Sequence, residues 1–122
     1  MSEPIYAKLS VRIFTDRKCF GPGVAELLHR VDRLHSLRAA AQSMEMAYSK
    51  AWTVIHNAEE GLGFKLLHSS TGGKGGGGAA VTAEGRRMLE AYEAYCEKLR
   101  AYGAEQFAQI FDFYGKTEDS AP

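Results

Sequence analysis

Tyr48, Ser49, Lys50 and Thr53 put a phenol, two hydroxyls and an ammonium within six residues. These groups donate and accept hydrogen bonds, and none stands beside a partner that would make it a nucleophile. No serine–histidine, cysteine–histidine or paired-carboxylate arrangement is legible in the chain, so an enzyme is not expected. His29, His35, His56 and His68 form no HExxH pattern, and Cys19 and Cys96 belong to no metal-ligand spacing. No metal or cofactor is expected, and both cysteines are read as reduced thiols. Short polar groups at the exposed end of a helix suit the edges of base pairs in a DNA major groove.

The element that must position them runs from Ser36 to Gly61. Ser36 is a fitting N-cap, with Leu37, Ala40, Ala41 and Met44 recurring behind it at helical spacing. Ala39, Ala40 and Ala41 are small enough to let another backbone cross closely. Met44 to Ala47 reads as a turn. A second helix starts near Tyr48 and carries Ala51, Ile55, Ala58 and Leu62 on one face, with Ser49, Lys50, Thr53 and His56 on the other. Paired amphipathic helices occur in many all-α proteins, so the elements around the pair carry the rest of the reading. Trp52 is read as a packing residue beside the first helix or the wing, or else as a base contact.

Ahead of the pair, Ile5 to Phe14 alternates in polarity and reads as a half-buried strand, with Cys19–Phe20 pairing back after a turn. Gly21-Pro22-Gly23 launches a helix whose stripe is Val24, Leu27, Leu28, Val31 and Leu34, with Glu26, Arg30 and Arg33 solvated. Behind the pair, Gly61-Leu62-Gly63 ends the helix, and Phe64, Leu66 and Leu67 begin a strand. Thr71-Gly72-Gly73-Lys74-Gly75-Gly76-Gly77-Gly78 follows, and then a return strand from Ala79 to Thr82. The glycine run is no nucleotide-binding loop. The first glycine of G-x-x-x-x-G-K-[ST] is His68 here, and its last hydroxyl is Gly75. A flexible linker has the same composition, but the flanking strands favour a wing. In a wing, Lys74 and the backbone amides can approach phosphates. Thr82 caps the last helix, with Arg86 and Arg87 in its first turns. Either arginine can reach phosphate or pair with an acid of its own domain.

That helix is expected to span 83–114. Met88, Tyr92, Tyr95, Leu99 and Tyr102 form a heptad-like seam along it, and Gly103 is a place for it to bend. A helix of this length outruns a small body, so its stripe is expected to meet a second chain in a two-fold dimer. The competing expectation is that it folds back on the N-terminal strand. Residues 1–4 and 115–122 are expected to be disordered, leaving 5–82 as a winged helix-turn-helix domain, mainly α with small β.

The net charge of the 122 residues is zero, but it is unevenly spread. Residues 1–87 hold twelve Lys and Arg against eight Asp and Glu, and residues 88–122 hold three against seven. A basic front and an acidic back fit a DNA-facing module with a partner-facing tail. No run of about 18 apolar residues is present, and the N-terminus lacks the order of a signal peptide, so a cytoplasmic location and no membrane contact are expected.

Five stretches together resemble the N-terminal DNA-binding domain of ModE-type, molybdate-responsive regulators, which are related to the LysR-type helix-turn-helix. They are Phe20–Gly23, Ala39–Ala41, Met46–Trp52, Thr71–Gly78 and Thr82–Arg87. The resemblance covers about residues 6 to 100. It implies a winged helix-turn-helix, transcriptional regulation, and dimerisation through N-terminal strands and the long last helix. Full-length members carry a C-terminal oxyanion-binding module that these residues do not include. A stand-alone member is therefore expected, with molybdate sensing not carried over and any effector unknown. His68-Ser69-Ser70 stands where an acidic residue and an arginine would be expected. The expected partner is double-stranded DNA, bound by a homodimer at a pseudo-palindromic operator. Tyr48, Ser49, Lys50 and Thr53 form the reading face, and Lys74, Arg86 and Arg87 hold the backbone. The alternative is a winged-helix protein-interaction module that does not bind specific DNA.

Overall fold

A computed structural model describes residues 3–70 and 78–115. Two compact units emerge. One runs from Val11 to Glu90, and the other comprises Met1–Ser10 with Ala91–Pro122.

The first unit opens with strands β1 (Ile13–Phe14) and β2 (Lys18–Phe20), an antiparallel hairpin with an irregular register after Ile13. The expected strand from Ile5 is shortened to its last two residues, which pair with β2, while Ile5 makes an isolated bridge. Helix α1 (Pro22–Leu34) follows with Pro22 at its start. Val24, Ala25, Leu27, Leu28 and Val31 are buried. Leu34, expected in that stripe, is 39% exposed. The chain turns away there, with His35 in the left-handed region at φ 59° and its amide closing on the Val31 carbonyl at 2.7 Å.

Helix α2 (Leu37–Ser43) is capped by the Ser36 hydroxyl, which accepts the Ala39 amide at 3.0 Å. Helix α3 (Tyr48–Leu62) crosses it on small side chains. Ala40, Ala41, Ala51 and Ala58 are at most 1% exposed. Arg30, expected to be solvated, instead ties α1 to the end of α2. Its guanidinium donates to Glu26 at 2.7 Å and to the Ser43 carbonyl and hydroxyl at 2.8 and 3.0 Å. The Arg30 hydrogen bond also lowers the pKa of the Glu26 carboxyl. Gly61 lies against β2, where a Cβ would overlap the Cys19 sulfur.

The wing strands are β3 (Leu67–Ser70) and β4 (Gly78–Val81), antiparallel with Leu67 opposite Val81 and Ser70 opposite Gly78. The strand begins at Leu67, later than the apolar run from Phe64 implies, and the Leu66 and Leu67 amides both donate to the Glu59 carboxylate. The Ala79 amide donates to the His35 carbonyl at 3.0 Å, joining the wing to the end of α1. Lys74 and the loop 71–77 lie outside the described residues.

Thr82 starts helix α4 (Ala83–Ile110) as expected. Its hydroxyl accepts the Gly85 amide at 2.8 Å and donates to the Lys65 carbonyl at 2.6 Å. α4 stops at Ile110, and a 3-10 turn at Asp112–Tyr114 replaces the expected last α-turn. Among the described residues, no helix is long and apolar enough to cross a membrane.

In the second unit, α4 runs through Gly103 as one helix. A Cβ at Gly103 would come within 3.0 Å of Leu9. The glycine thus makes room for the N-terminal segment rather than breaking the helix. Tyr6, Ala7 and Leu9 line a small cavity with Arg100, Gly103, Ala104 and Phe107, so the segment does fold back on α4. The seam divides: Tyr92 is buried, Met88 and Leu99 are half-buried, and Tyr95 and Tyr102 are 55% and 64% exposed. Cys96 joins Tyr92 among the buried residues of this unit, and Leu89 is buried in the first.

The join between the wing and α4 is tight at Gly85, where a Cβ would stand 2.6 Å from the Leu66 carbonyl oxygen. Gly85→Ala should therefore destabilise the protein by about 1–3 kcal/mol despite alanine's better helix propensity. Urea unfolding followed by circular dichroism measures this.

Candidate nucleic-acid interface

The interface is built on the face of α3 turned away from its alanines. With Ala51, Ile55 and Ala58 sealed in the core, a 100° step per residue carries Ser49, Thr53 and Glu60 to the opposite side. Tyr48, Ser49, Lys50 and Thr53 are all exposed. The expected reading face is thus brought together on the first two turns of one helix.

Its chemistry is narrower than the residue types suggest. The Thr53 hydroxyl donates to the Ser49 carbonyl at 2.9 Å. With that hydrogen committed, Thr53 offers an outside partner only lone pairs. Such an acceptor matches the amino group of cytosine or adenine in the major groove and not a phosphate oxygen. Tyr48 is covered on one face by the Arg38 guanidinium, 4.1 Å from the ring centroid. Arg38 is exposed on α2 and was not marked by any motif, because only the packing of α2 on α3 brings it to Tyr48.

Trp52 stands beside the wing, at the rim of a groove rather than in the core. It is 46% exposed, and its ring stacks on His56 with centroids 3.5 Å apart and planes 19° from parallel. The Trp52 carbonyl accepts a hydrogen bond from His56 Nδ1 at 2.9 Å. A carbonyl can only accept, so Nδ1 carries the proton of this bond. Trp52 and His56 form one wall of an open groove whose far side is the wing, lined by His68, Ser69 and Ala79.

The wing is held to α3 by a residue the sequence did not flag. Glu59 is 8% exposed, and its Oε2 accepts the amides of Leu66 and Leu67 at 2.8 and 3.1 Å. Lys65 adds a 3.8 Å ion pair on Oε1. A carboxylate under helical spacing beside apolar neighbours gave no sign that it would turn inward.

Of the arginines expected near the wing, Arg86 pairs with Asp32 of α1 at 2.6 Å. That hydrogen bond lowers the Asp32 carboxyl pKa and raises that of the guanidinium. Arg86 is thereby engaged within the domain. Arg87 is exposed. No group of three or more histidine, cysteine, aspartate or glutamate side chains is placed to hold a metal among the described residues.

Residues 24–86 match the family described as bacterial regulatory helix-turn-helix protein, lysR family. The chain is 31% identical over 86 residues to the DNA-binding transcriptional dual regulator ModE of Escherichia coli strain K12, covering 70% of this chain and 31% of that protein. It is 33% identical over 86 residues, with the same coverage, to the transcriptional regulator ModE of Yersinia pestis. Against the molybdenum-pterin-binding protein MopB of Rhodobacter capsulatus it is 34% identical over 68 residues, covering 56% of this chain and 25% of that one. The chain therefore spans between a quarter and a third of the length of these relatives.

Glu59→Ala leaves the Leu66 and Leu67 amides without their acceptor and should cost about 1–3 kcal/mol of stability in chemical unfolding. The Asp32 pKa lies below its ordinary 3.8, so the Arg86 pair stabilises the fold above that value and is lost as pH falls through the lower folded one. Asp32→Asn should lower the melting temperature at neutral pH. The gap to the wild type should close on acidification through the carboxylate range.

Proposed function

Because this chain belongs to the lysR family of bacterial regulatory helix-turn-helix proteins, we propose that it regulates transcription by binding double-stranded DNA. The observation that carries this reading is the division of α3. Its alanine face is sealed against the core, while Ser49, Lys50 and Thr53 stand exposed on its first two turns. Lys50 donates to guanine O6 or N7, Thr53 accepts from an exocyclic amine, and Ser49 serves a base or a phosphate. Tyr48 borders them. Lys74 and Arg87 contact the backbone. Arg86 does so only by giving up Asp32, so its first role is to brace α4 on α1.

The binding species is a homodimer that places two α3 helices in successive major grooves of a pseudo-palindromic operator. The exposed rings of Tyr95 and Tyr102 and the Ile110 side chain, 62% exposed, give the second copy an apolar face on α4. Tyr92 and Leu99 support that face from the more buried side of the helix, and Met88 extends the seam toward its start.

Lys50→Ala should lower affinity for an operator selected from a random pool by about ten- to a hundredfold, the equivalent of about 1–3 kcal/mol, while random duplex loses far less. Titrations by fluorescence anisotropy measure both. Equal losses on the two duplexes would remove the base-reading role. Binding of neither duplex at low salt would leave the winged helix as a protein-interaction module.

A further inference from the structure

The start of α3 carries the reading face, yet it has no side-chain cap of its own. Ala47 is its N-cap residue, and no side-chain hydrogen bond is made there. Ahead of Ser49 and Lys50, the placement of the helix therefore falls to the turn from Met44 to Ala47 and to the end of α2. That helix is short, seven residues from Leu37 to Ser43. In an isolated helix the last four carbonyls lack partners. Here each has one. The Ala40 carbonyl accepts the Ser43 hydroxyl at 2.7 Å, and the Ala41 carbonyl accepts the Met44 and Met46 amides at 3.0 and 2.9 Å. The Gln42 carbonyl accepts the Glu45 amide at 3.0 Å.

The remaining carbonyl, on Ser43, is satisfied from another helix. Arg30 Nη1 of α1 donates to it at 2.8 Å and to the Ser43 hydroxyl at 3.0 Å. Nε of the same guanidinium donates to Glu26 at 2.7 Å, one turn back on α1. The carboxylate thus aims a planar, rigid fork at the last residue of α2. Two residues on, Glu45 stands in the left-handed region at φ 54°. A residue with a side chain adopts that conformation at a cost, and it persists where the surrounding structure holds it. The turn between the two helices is therefore a strained segment whose leading end is tied down by Arg30.

We propose that Arg30 is a positioning residue for base reading: by fixing the end of α2 to α1 it holds the turn, and with it the first turn of α3, at the angle that lets Ser49 and Lys50 meet base edges. Arg30 itself contacts no DNA. The inference rests on the DNA-binding reading above and deepens it, separating the groups that read bases from the group that sets their placement. Without the brace, Ala51, Ile55 and Ala58 remain sealed in the core, but the first turn of α3 loses its fixed lead-in. Hydrogen bonds to base edges depend on close placement, whereas phosphate contacts carry no sequence information and tolerate small shifts along the duplex. The loss therefore falls on specific binding.

Arg30→Lys keeps the charge but replaces two separate donors with a single nitrogen. Measured where circular dichroism shows every variant folded, it should lower affinity for an operator selected from a random pool about tenfold, the worth of one base contact. Affinity for a fluorescein-labelled random duplex, and the slope of log affinity against log salt, should not change. In the free protein, amide hydrogen exchange read by NMR should quicken several-fold at Met44, Met46 and Lys50 and stay as it is at Ile55 and Ala58. Glu26→Gln weakens the brace from its other end and should lower the operator-to-random ratio in the same direction, so it remains informative if the Arg30 variant is unstable. Equal losses on both duplexes, or a smaller salt slope with Arg30→Lys, would overturn the positioning role, as would an unchanged ratio in both variants. Absence of any duplex binding by the wild-type protein would instead overturn the function on which the role depends, and the exchange rates would still show whether Arg30 holds the turn.

Discussion

The close approach of α2 and α3 is the constraint on which the rest of the first unit depends. Ala40 and Ala41 on one helix and Ala51 and Ala58 on the other are almost fully buried. Side chains this small bring two backbones together. One face of the helix is therefore consumed by the core and the rest is left outside. Larger residues at these positions would push the helices apart and rotate what α3 presents. Interiors are packed densely enough that even one added methylene is felt.

A second constraint fixes what stands beside α3. Glu59 brings a carboxylate into the interior, a costly move unless its oxygens are satisfied. Two backbone amides and a lysine satisfy them. The same bonds decide where the chain goes after Gly63 and where β3 begins. Thr82 and Gly85 then close the return, the hydroxyl joining the Lys65 carbonyl to the first turn of α4. The wing is thus registered on the recognition helix by hydrogen bonds to the backbone, while apolar packing registers α3 on α2. The groove between them inherits its shape from both.

The second unit follows a different logic. Its part of α4 carries the buried Tyr92 and Cys96 and an exposed aromatic edge at Tyr95 and Tyr102. Gly103 gives up a side chain so that Leu9 can lie against the helix. Alternation from Ile5 onward reads as a strand, yet hydrogen bonding in a ladder demands a neighbour as well as a pattern. Where β2 supplies one, at Ile13 and Phe14, a strand forms.

Periodicity in the sequence determined the helix-turn-helix, the helix that precedes it, the wing strands and the long last helix. Each is stabilised by a face that repeats at its own spacing, or closed by a local cap such as Ser36 or Thr82, and both kinds of signal lie within a few residues of one another. The exposed set Tyr48, Ser49, Lys50 and Thr53 was legible for the same reason. The tertiary structure alone decided the pairing of Arg86 with Asp32, the reach of Arg38 over Tyr48, the inward turn of Glu59 and the stacking that leaves Trp52 at the rim of a groove. It also divided the α4 seam and halted the N-terminal strand. Most of these join groups distant in sequence, and the others turn on which side of a helix its neighbours cover. Such choices follow from how whole elements cross, which no local spacing encodes.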